Sequence, residues 1–279
     1  RLADLPKPEK DRRGEKAYRR MSAQEACAGG VQVNARGESD PQLLAEGAAR
    51  VDKGDVFLNR ERVQRDVTVM AVRAYATMQA APRRDLVFFD AMAASGLRGL
   101  RVALECEHCS TVMCNDLDPR ACEAVQRNIH RNAAPLRQKA AQVRVLAASD
   151  AGGACEHLRA SGVRPDILDL DPFGTPIEAV PAAMRCIADG GMLSLAFFDT
   201  AVLQGRGAGV SDTCFPRYAA VPLQLGRASP EFGLRLALGA VARMALSQGR
   251  RVVPLLCVHM ETANRLLLRI VDGDDGSIG

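Results

Sequence analysis

The sequence predicts an α/β protein built on a mostly parallel, doubly wound sheet that ends in an antiparallel C-terminal strand. Short apolar runs alternate with segments of helical period from Leu86 to Phe198, the pattern of successive β-α-β units. Polar or small-residue clusters follow these runs, where a parallel sheet presents the carboxyl ends of its strands. Two strand-like runs, Val252–Val258 and Arg265–Val271, close the sequence with no long helix between them, which suggests a hairpin. Composition agrees: the 279 residues are 47% apolar, 25% charged and 4% aromatic, which excludes collagen, coiled coil and wholesale disorder. No run approaches the roughly 18 apolar residues of a membrane span, so no membrane partner is expected.

Taken in order, residues 1–45 lack periodicity and carry Gly29-Gly30 and Gly37. They read as an irregular basic extension, with one helix expected around Pro41–Arg50, ahead of a single domain over 46–279. From Asp66 the pattern Val67, Val69-Met70, Val72-Arg73, Tyr75-Ala76 reads as a helix that ends before Pro82. Leu86–Phe89 is a strand entering Asp90, followed by a small-residue turn and a helix from Leu97 to Glu105. Thr111–Cys114 is a second strand. Asp118 can cap the next helix, Pro119 suits its first position, and Ala121, Cys122, Val125 and Ile129 share its face. Val143–Leu146 and Asp166–Leu170 are further strands. Thr175 and Pro176 open a helix to about Ala188, and Gly190-Gly191 turns the chain into the strand Met192–Phe198. A late helix fits Glu231–Ser247, with Ser229 as its cap and Pro230 at its start.

Nine cysteines, an odd number scattered along the chain, favour a reducing, intracellular compartment over a disulfide scaffold; nucleus, cytosol and mitochondrion stay open. Cys106-x-x-Cys109, with His108, Cys114 and Cys122 nearby, has metal-like spacing but lacks a second ligand pair, so the structural reading is preferred and no metal is expected. The sequence opens on Arg1 rather than Met, so a processed or trimmed start is expected. Its first twenty residues hold eight basic and four acidic side chains, a surplus equal to the +4 of the whole chain. That stretch reads equally as an arm for phosphates or as a solvated tail.

Chemistry is expected at the four clusters Asp90–Arg98, Asn115–Asp118, Ser149–Ala151 and Asp171–Gly174. Asp90-Ala91-Met92-Ala93-Ala94-Ser95-Gly96-Leu97-Arg98 is a strand-to-helix turn whose small side chains let a ligand approach the backbone and the helix N–H groups. Some twenty residues on, Asp116 stands where a carboxylate can accept both hydroxyls of a ribose; the pair suits NAD or S-adenosylmethionine. Asp171-Pro172-Phe173-Gly174 is similar to the (Asn/Asp)-Pro-Pro-(Tyr/Phe) signature of amino-group methyltransferases. The exocyclic amine of a nucleobase is a poor nucleophile because its lone pair is delocalised into the ring. A carboxylate and a turn carbonyl that accept its hydrogens localise that pair and aim it, while an aromatic side chain stacks on the base.

Further stretches make the likeness specific. Glu46-Gly47, Val56-Phe57-Leu58-Asn59, Arg65-Asp66, the turn from Asp90 to Arg101, Asn115-Asp116, Asp169 to Pro176, Asp199 to Leu203, Arg217-Tyr218-Ala219 and Pro254-Leu255-Leu256 occur in that order over residues 45–271. In these the chain resembles the tRNA (guanine-26-N2)-dimethyltransferase family. The resemblance implies a Rossmann-like class I methyltransferase fold, S-adenosyl-L-methionine as cofactor, and methylation of N2 of a tRNA guanine. It further implies that Arg65, Asp90, Ser95, Gly96, Arg98, Asp116, Asp150 and Ala151 hold the cofactor. Asp150-Ala151 would face the adenine, and Arg65 and Arg98 would neutralise the carboxylate or brace the site. Asp171 would anchor the target amine with the Pro172 carbonyl, and Phe173 and Phe57 would clamp a flipped guanine.

There are departures. Phe57-Leu58-Asn59-Arg60 replaces the family's aromatic-Asn-Pro, Gln64-Arg65-Asp66 its Asn-Arg-Asp, and Ser229-Pro230-Glu231 its Cys-His-Glu. The family's C-terminal RNA-binding domain is not expected within these residues: either it lies outside them, or a protein or ribonucleoprotein partner supplies the grip on tRNA or other structured RNA. Two rival readings follow. One is a methyltransferase fold serving as an RNA-binding or assembly subunit, for example of the mitochondrial ribosome. The other is an enzyme methylating amines of DNA or protein glutamine.

Overall fold

A computed structural model of the chain describes residues 42–54, 62–78, 85–260 and 262–273. Strands β1 (Leu43–Glu46) and β2 (Ala49–Asp52) form an antiparallel hairpin, followed by helix α1 (Arg62–Met78). Strands β3 (Val87–Asp90), β4 (Thr111–Cys114), β5 (Gln142–Val145), β6 (Ile167–Leu170) and β7 (Met192–Phe197) then alternate with helices. These helices are α2 (Leu97–Glu105), α3 (Pro119–Arg131), α4 (Ala133–Gln138), α5 (Ala151–Ala160) and α6 (Val180–Cys186). Beyond β7 come α7 (Thr200–Leu203), α8 (Val210–Tyr218), α9 (Ser229–Leu246), β8 (Arg250–His259) and β9 (Asn264–Asp272).

The large sheet has seven strands in the order β5-β4-β3-β6-β7-β9-β8. The first five are parallel, β9 runs antiparallel to β7, and β8 pairs antiparallel with β9. The predicted doubly wound plan with its closing hairpin is therefore the architecture of the molecule. Consecutive residues of a strand serve opposite faces: Phe88 joins the core beneath α1 and α2, and Phe89 joins the core beneath α5, α6 and α9. Among the described residues, no helix is long and apolar enough to cross a membrane.

Several local expectations are corrected. The helix foreseen over Pro41–Arg50 is the β1–β2 hairpin, because Gly47, at φ +56°, takes the turn. Ala49 and Val51 alternate inward, and the Arg50 and Asp52 N–H groups donate to the side chains of Asn132 (3.1 Å) and Asn128 (3.0 Å). The extension read over 1–45 consequently ends early, since Leu43–Ala45 belong to β1; residues 1–41 lie outside the described residues. The helix expected from Thr175 forms only over Val180–Cys186. Ser229 does not cap α9: it is that helix's first residue, and its hydroxyl accepts the Leu225 N–H at 2.8 Å. Asp118 does cap α3, accepting from the Arg120 N–H at 2.9 Å.

The hairpin is fastened to the sheet by buried charge. Glu46 accepts from Arg65 through Nε (2.8 Å) and Nη2 (2.7 Å), and from Arg101 Nη1 at 2.8 Å. Burial raises the Glu46 carboxyl, but the two guanidiniums outweigh it and hold the group below its ordinary value. That stabilisation is present above the unfolded carboxyl's pKa and is lost as pH falls through the folded one. Replacing Glu46 by Gln leaves Arg65 buried without its counter-charge and should cost about 3 kcal/mol at neutral pH. Denaturant titrations should show the deficit shrinking in acid; a deficit of equal size at every pH would refute the ionic role.

Candidate active site

The carboxyl ends of β3, β4 and β6 bring together the clusters that the sequence separates. Asp90 lies in register with Asp169 on one side and Cys114 on the other. The turn after β3 is tied down by backbone bonds: Ala91 N–H to the Asp169 carbonyl (3.1 Å), Ala93 N–H to the Asn115 carbonyl (2.8 Å) and Gly96 N–H to the Ala93 carbonyl (2.7 Å). Ala94 is held at φ +49° and Gly96 at φ +75°, a conformation costly for any residue with a side chain. At Gly96 a Cβ would also come within 2.9 Å of Val125. Glycine is therefore required there on two counts.

Asp116 lies beside this turn with each carboxylate oxygen fixed by one backbone N–H, Oδ2 by Ala94 (2.8 Å) and Oδ1 by Asp118 (3.0 Å). Each oxygen keeps acceptor capacity for a further donor. Asn115 links the turn to the next strand end, donating to the carbonyls of Ala91 (3.1 Å) and Ser149 (2.9 Å). Ser95 is buried, and its carbonyl accepts from the Asn128 side chain at 2.9 Å. Asp150 caps α5, accepting the Gly153 N–H at 2.9 Å, with Ala151 buried behind it.

Arg65 and Arg98 are both buried and both brace the structure through carboxylates, Arg65 on Glu46 and Arg98 deeper in. Arg98 approaches Asp169 through Nε at 3.2 Å, makes a close ion pair with Asp171 through Nη2, and donates from Nη1 to the Thr68 hydroxyl at 2.6 Å. Burial lowers the Arg98 pKa to about 10, even with Asp169 opposing. Asp171 Oδ1 is buried and has no hydrogen-bond partner among the described residues. Beyond it Pro172 is half-buried, Phe173 is 61% exposed, and the Gly174 carbonyl accepts the Phe198 N–H at 2.7 Å. Asp171, Pro172, Phe173, Asp116 and the Ser95-Gly96 turn are thus gathered at one edge of the sheet. Phe57 lies outside the described residues.

Sequence reasoning missed Arg265 altogether. This β9 residue is fully buried and donates from Nη2 to Asp169 Oδ1, to Ser194 Oγ (2.7 Å) and to Thr68 Oγ1 (2.9 Å). A cation opening an otherwise apolar run, Arg265–Val271, was the available signal, together with Ser194 inside Met192–Phe197. Also missed was the chain in which the Tyr218 hydroxyl donates to Asp199 (2.7 Å) and meets the Thr175 hydroxyl at 2.7 Å. The Cys106-Cys109 pair packs as apolar filling, each thiol resting on a carbonyl, Val69 or Thr111, at 3.8 Å. Burial raises the Cys106 thiol to about 11. Among the described residues, no three His, Cys, Asp or Glu side chains gather as a metal site.

The family model for N2,N2-dimethylguanosine tRNA methyltransferase matches residues 37–277. The chain belongs to this family. It is 30% identical over 248 residues to the tRNA (guanine(26)-N(2))-dimethyltransferase of Homo sapiens, covering 88% of this chain and 35% of that protein. Against the enzyme of the same name from Thermococcus kodakarensis it is 32% identical over 239 residues, covering 83% and 60%. The chain therefore spans only part of these relatives. Among solved structures it is similar to Trm1 from Pyrococcus horikoshii in complex with S-adenosyl-L-methionine, with a TM-score of 0.68 and 28% identity over 83% of this chain and 62% of that one. The fold is accordingly that of the class I S-adenosylmethionine methyltransferases.

Asp90 gives this site a pH-dependent element. Its carboxyl is raised to about 7, by burial first and then by the charge of Asp169, with Arg98 opposing. The folded chain keeps a proton there that the unfolded chain releases near 3.8, so the group's stabilisation is complete in acid and is lost as pH rises towards 7. Asp90→Asn cannot ionise and escapes that loss. Calorimetry at about pH 5 and about pH 8 should find the difference in Tm moving in the variant's favour at the higher pH; a constant difference would disprove the assignment.

Proposed function

We propose that this chain is an S-adenosylmethionine-dependent methyltransferase acting on the exocyclic N2 of a guanine in tRNA. The observation that carries this reading is the state of Asp171. One carboxylate oxygen is engaged by Arg98, while Oδ1 is buried with no partner among the described residues, beside the exposed ring of Phe173. Such an orphan acceptor is costly unless a ligand satisfies it, and an amine hydrogen of a nucleobase does so.

The residues fit the cofactor. Asp116, with both oxygens oriented and acceptor capacity left, suits two ribose hydroxyls, and the Ala93–Gly96 turn offers small side chains at the start of α2. Asp90 is buried at the end of β3, where that turn begins. Asp150 and Ala151 stand at the end of the neighbouring strand for the adenine, and Arg98 serves as a brace. When bound, S-adenosylmethionine supplies a methyl group on a positively charged sulfur. The chain orients the acceptor: Asp171 Oδ1 takes one amine hydrogen, the Pro172 carbonyl the other, and Phe173 stacks on the base. Asp171 Oδ1 then receives the proton that the nitrogen sheds as it gains carbon. Phe57 is proposed as the second stacking ring.

Asp171→Ala should reduce methyl transfer by at least about a thousandfold with cofactor affinity almost intact. Asp116→Ala should instead weaken cofactor binding by tenfold or more, roughly the value of a charge-assisted hydrogen bond. Mass spectrometry of tRNA nucleosides after incubation, paired with calorimetry of cofactor binding, reads both. Wild-type turnover by the Asp171 variant would refute the mechanism, and unchanged affinity in the Asp116 variant would refute its ribose role.

A further inference from the structure

We propose that Arg265 is a positioning residue for this reaction: from β9, two strands away, its guanidinium aims the Asp171 carboxylate and keeps it ionised. The inference rests on the methyltransferase reading of the site and extends it to a residue that no motif contains.

The geometry begins with the strand register. Arg265 pairs with Ala196 of β7, and Ser194, two residues earlier, shares that face. On β6, Asp169 pairs with Ser194, so Asp171 lies level with Ala196. Ser194 and Ala196 are the small side chains of a strand otherwise made of Met, Leu and Phe. They leave a lane across β7 through which a long side chain from β9 reaches β6. Arg265 uses it: Nη2 pairs with Asp169 and bonds Ser194 and Thr68, and Nη1 stands 3.6 Å from Asp171 Oδ2.

Packing alone does not explain this arginine. Its neighbours Leu266, Leu267, Leu268 and Ile270 are buried apolar residues, and an aliphatic side chain at 265 would continue that core. A fully buried guanidinium is expensive to desolvate and repays it only through well-placed counter-charges. Those counter-charges are the carboxylates Asp169 and Asp171, with Asp90 in register beside Asp169. Three carboxyl groups face two guanidiniums, Arg98 from α2 and Arg265 from β9; the Asp116 charge also bears on Asp90 and the Arg65 charge on Arg98. With Arg265 removed, Arg98 alone faces the two like charges of Asp169 and Asp171. Asp171 then takes up a proton more readily, and Oδ1 is no longer a strong acceptor. Arg98 and Arg265 also share the Thr68 hydroxyl, so the loss of one loosens the other.

The test uses the full chain with tRNA and S-adenosylmethionine, in the variants Arg265→Lys and Arg265→Met. Lysine keeps the charge but cannot span Asp169 and Asp171 together, so kcat should fall about tenfold, with the KM for tRNA and the cofactor Kd within about threefold of the parent. Methionine should lower kcat by about a hundredfold and move the acid limb of the pH–rate profile upward by about one unit. Arg265→Lys carries the test should the methionine variant not fold. Wild-type kcat in both variants, or a loss residing in KM or cofactor affinity, would overturn the proposal. An independent readout is the carbon-13 carboxyl titration of Asp171, identified through Asp171→Asn. It should shift upward in Arg265→Met, or broaden upward in Arg265→Lys, whether or not methyl transfer is observed. An unmoved titration overturns the positioning role; absent methyl transfer by the parent chain would strike the functional reading instead.

Discussion

The organisation of this molecule depends on a requirement for charge compensation at one point. Parallel strands β3 and β6 are neighbours whose crossovers leave in opposite directions, so their carboxyl ends open a crevice. The chain places Asp90, Asp169 and Asp171 there. Carboxylates so close and so buried would repel one another and lose hydration; Arg98 and Arg265, approaching from α2 and β9, make the arrangement tolerable. Asp90, fully buried and beside the Asp169 charge, answers by holding its proton to about pH 7. The crevice is thus a balanced electrostatic assembly whose members come from α1, α2, β3, β6, β7 and β9.

A second charge cluster repeats the same logic nearer the surface. Arg65 of α1 and Arg101 of α2 converge on Glu46 of the hairpin, while Arg101 also holds Asp66 and Glu105. Thr68, one helical turn from Arg65, joins the inner cluster through its hydroxyl. Helix α1 therefore connects the two assemblies. This division separates the two arginines that family resemblance groups together: Arg98 touches the Asp171 carboxylate, whereas Arg65 anchors the hairpin.

Much of the site was legible in the sequence because its parts are local. A strand that ends in Asp90 and runs into small residues and Gly96 must turn sharply, and the positive φ values at Ala94 and Gly96 are the physical form of that turn. Asp116 precedes a helix with Asp118 as cap, and both features depend on neighbours within a few residues. Asp171-Pro172-Phe173-Gly174 is similarly a motif of contiguous positions. The hairpin at Leu43–Asp52 was misread because its second strand completes its hydrogen bonds with Asn128 and Asn132, about eighty residues away. No local pattern announces such partners.

By itself, then, the sequence determined the alternation of strands and helices, the turns that end them, and the identity of the groups at the strand ends. These follow from side-chain period, capping and backbone conformation, all of which act over a few residues. Tertiary structure alone decided which carboxylate is neutralised by which guanidinium, which stays protonated, and which oxygen of Asp171 is left open. Those outcomes depend on burial and on distances between strands far apart in the chain. Arg265 shows the difference: in the sequence it is a charge at the start of an apolar run, and only the register of β9 against β7 and β6 brings it to Asp169 and Asp171.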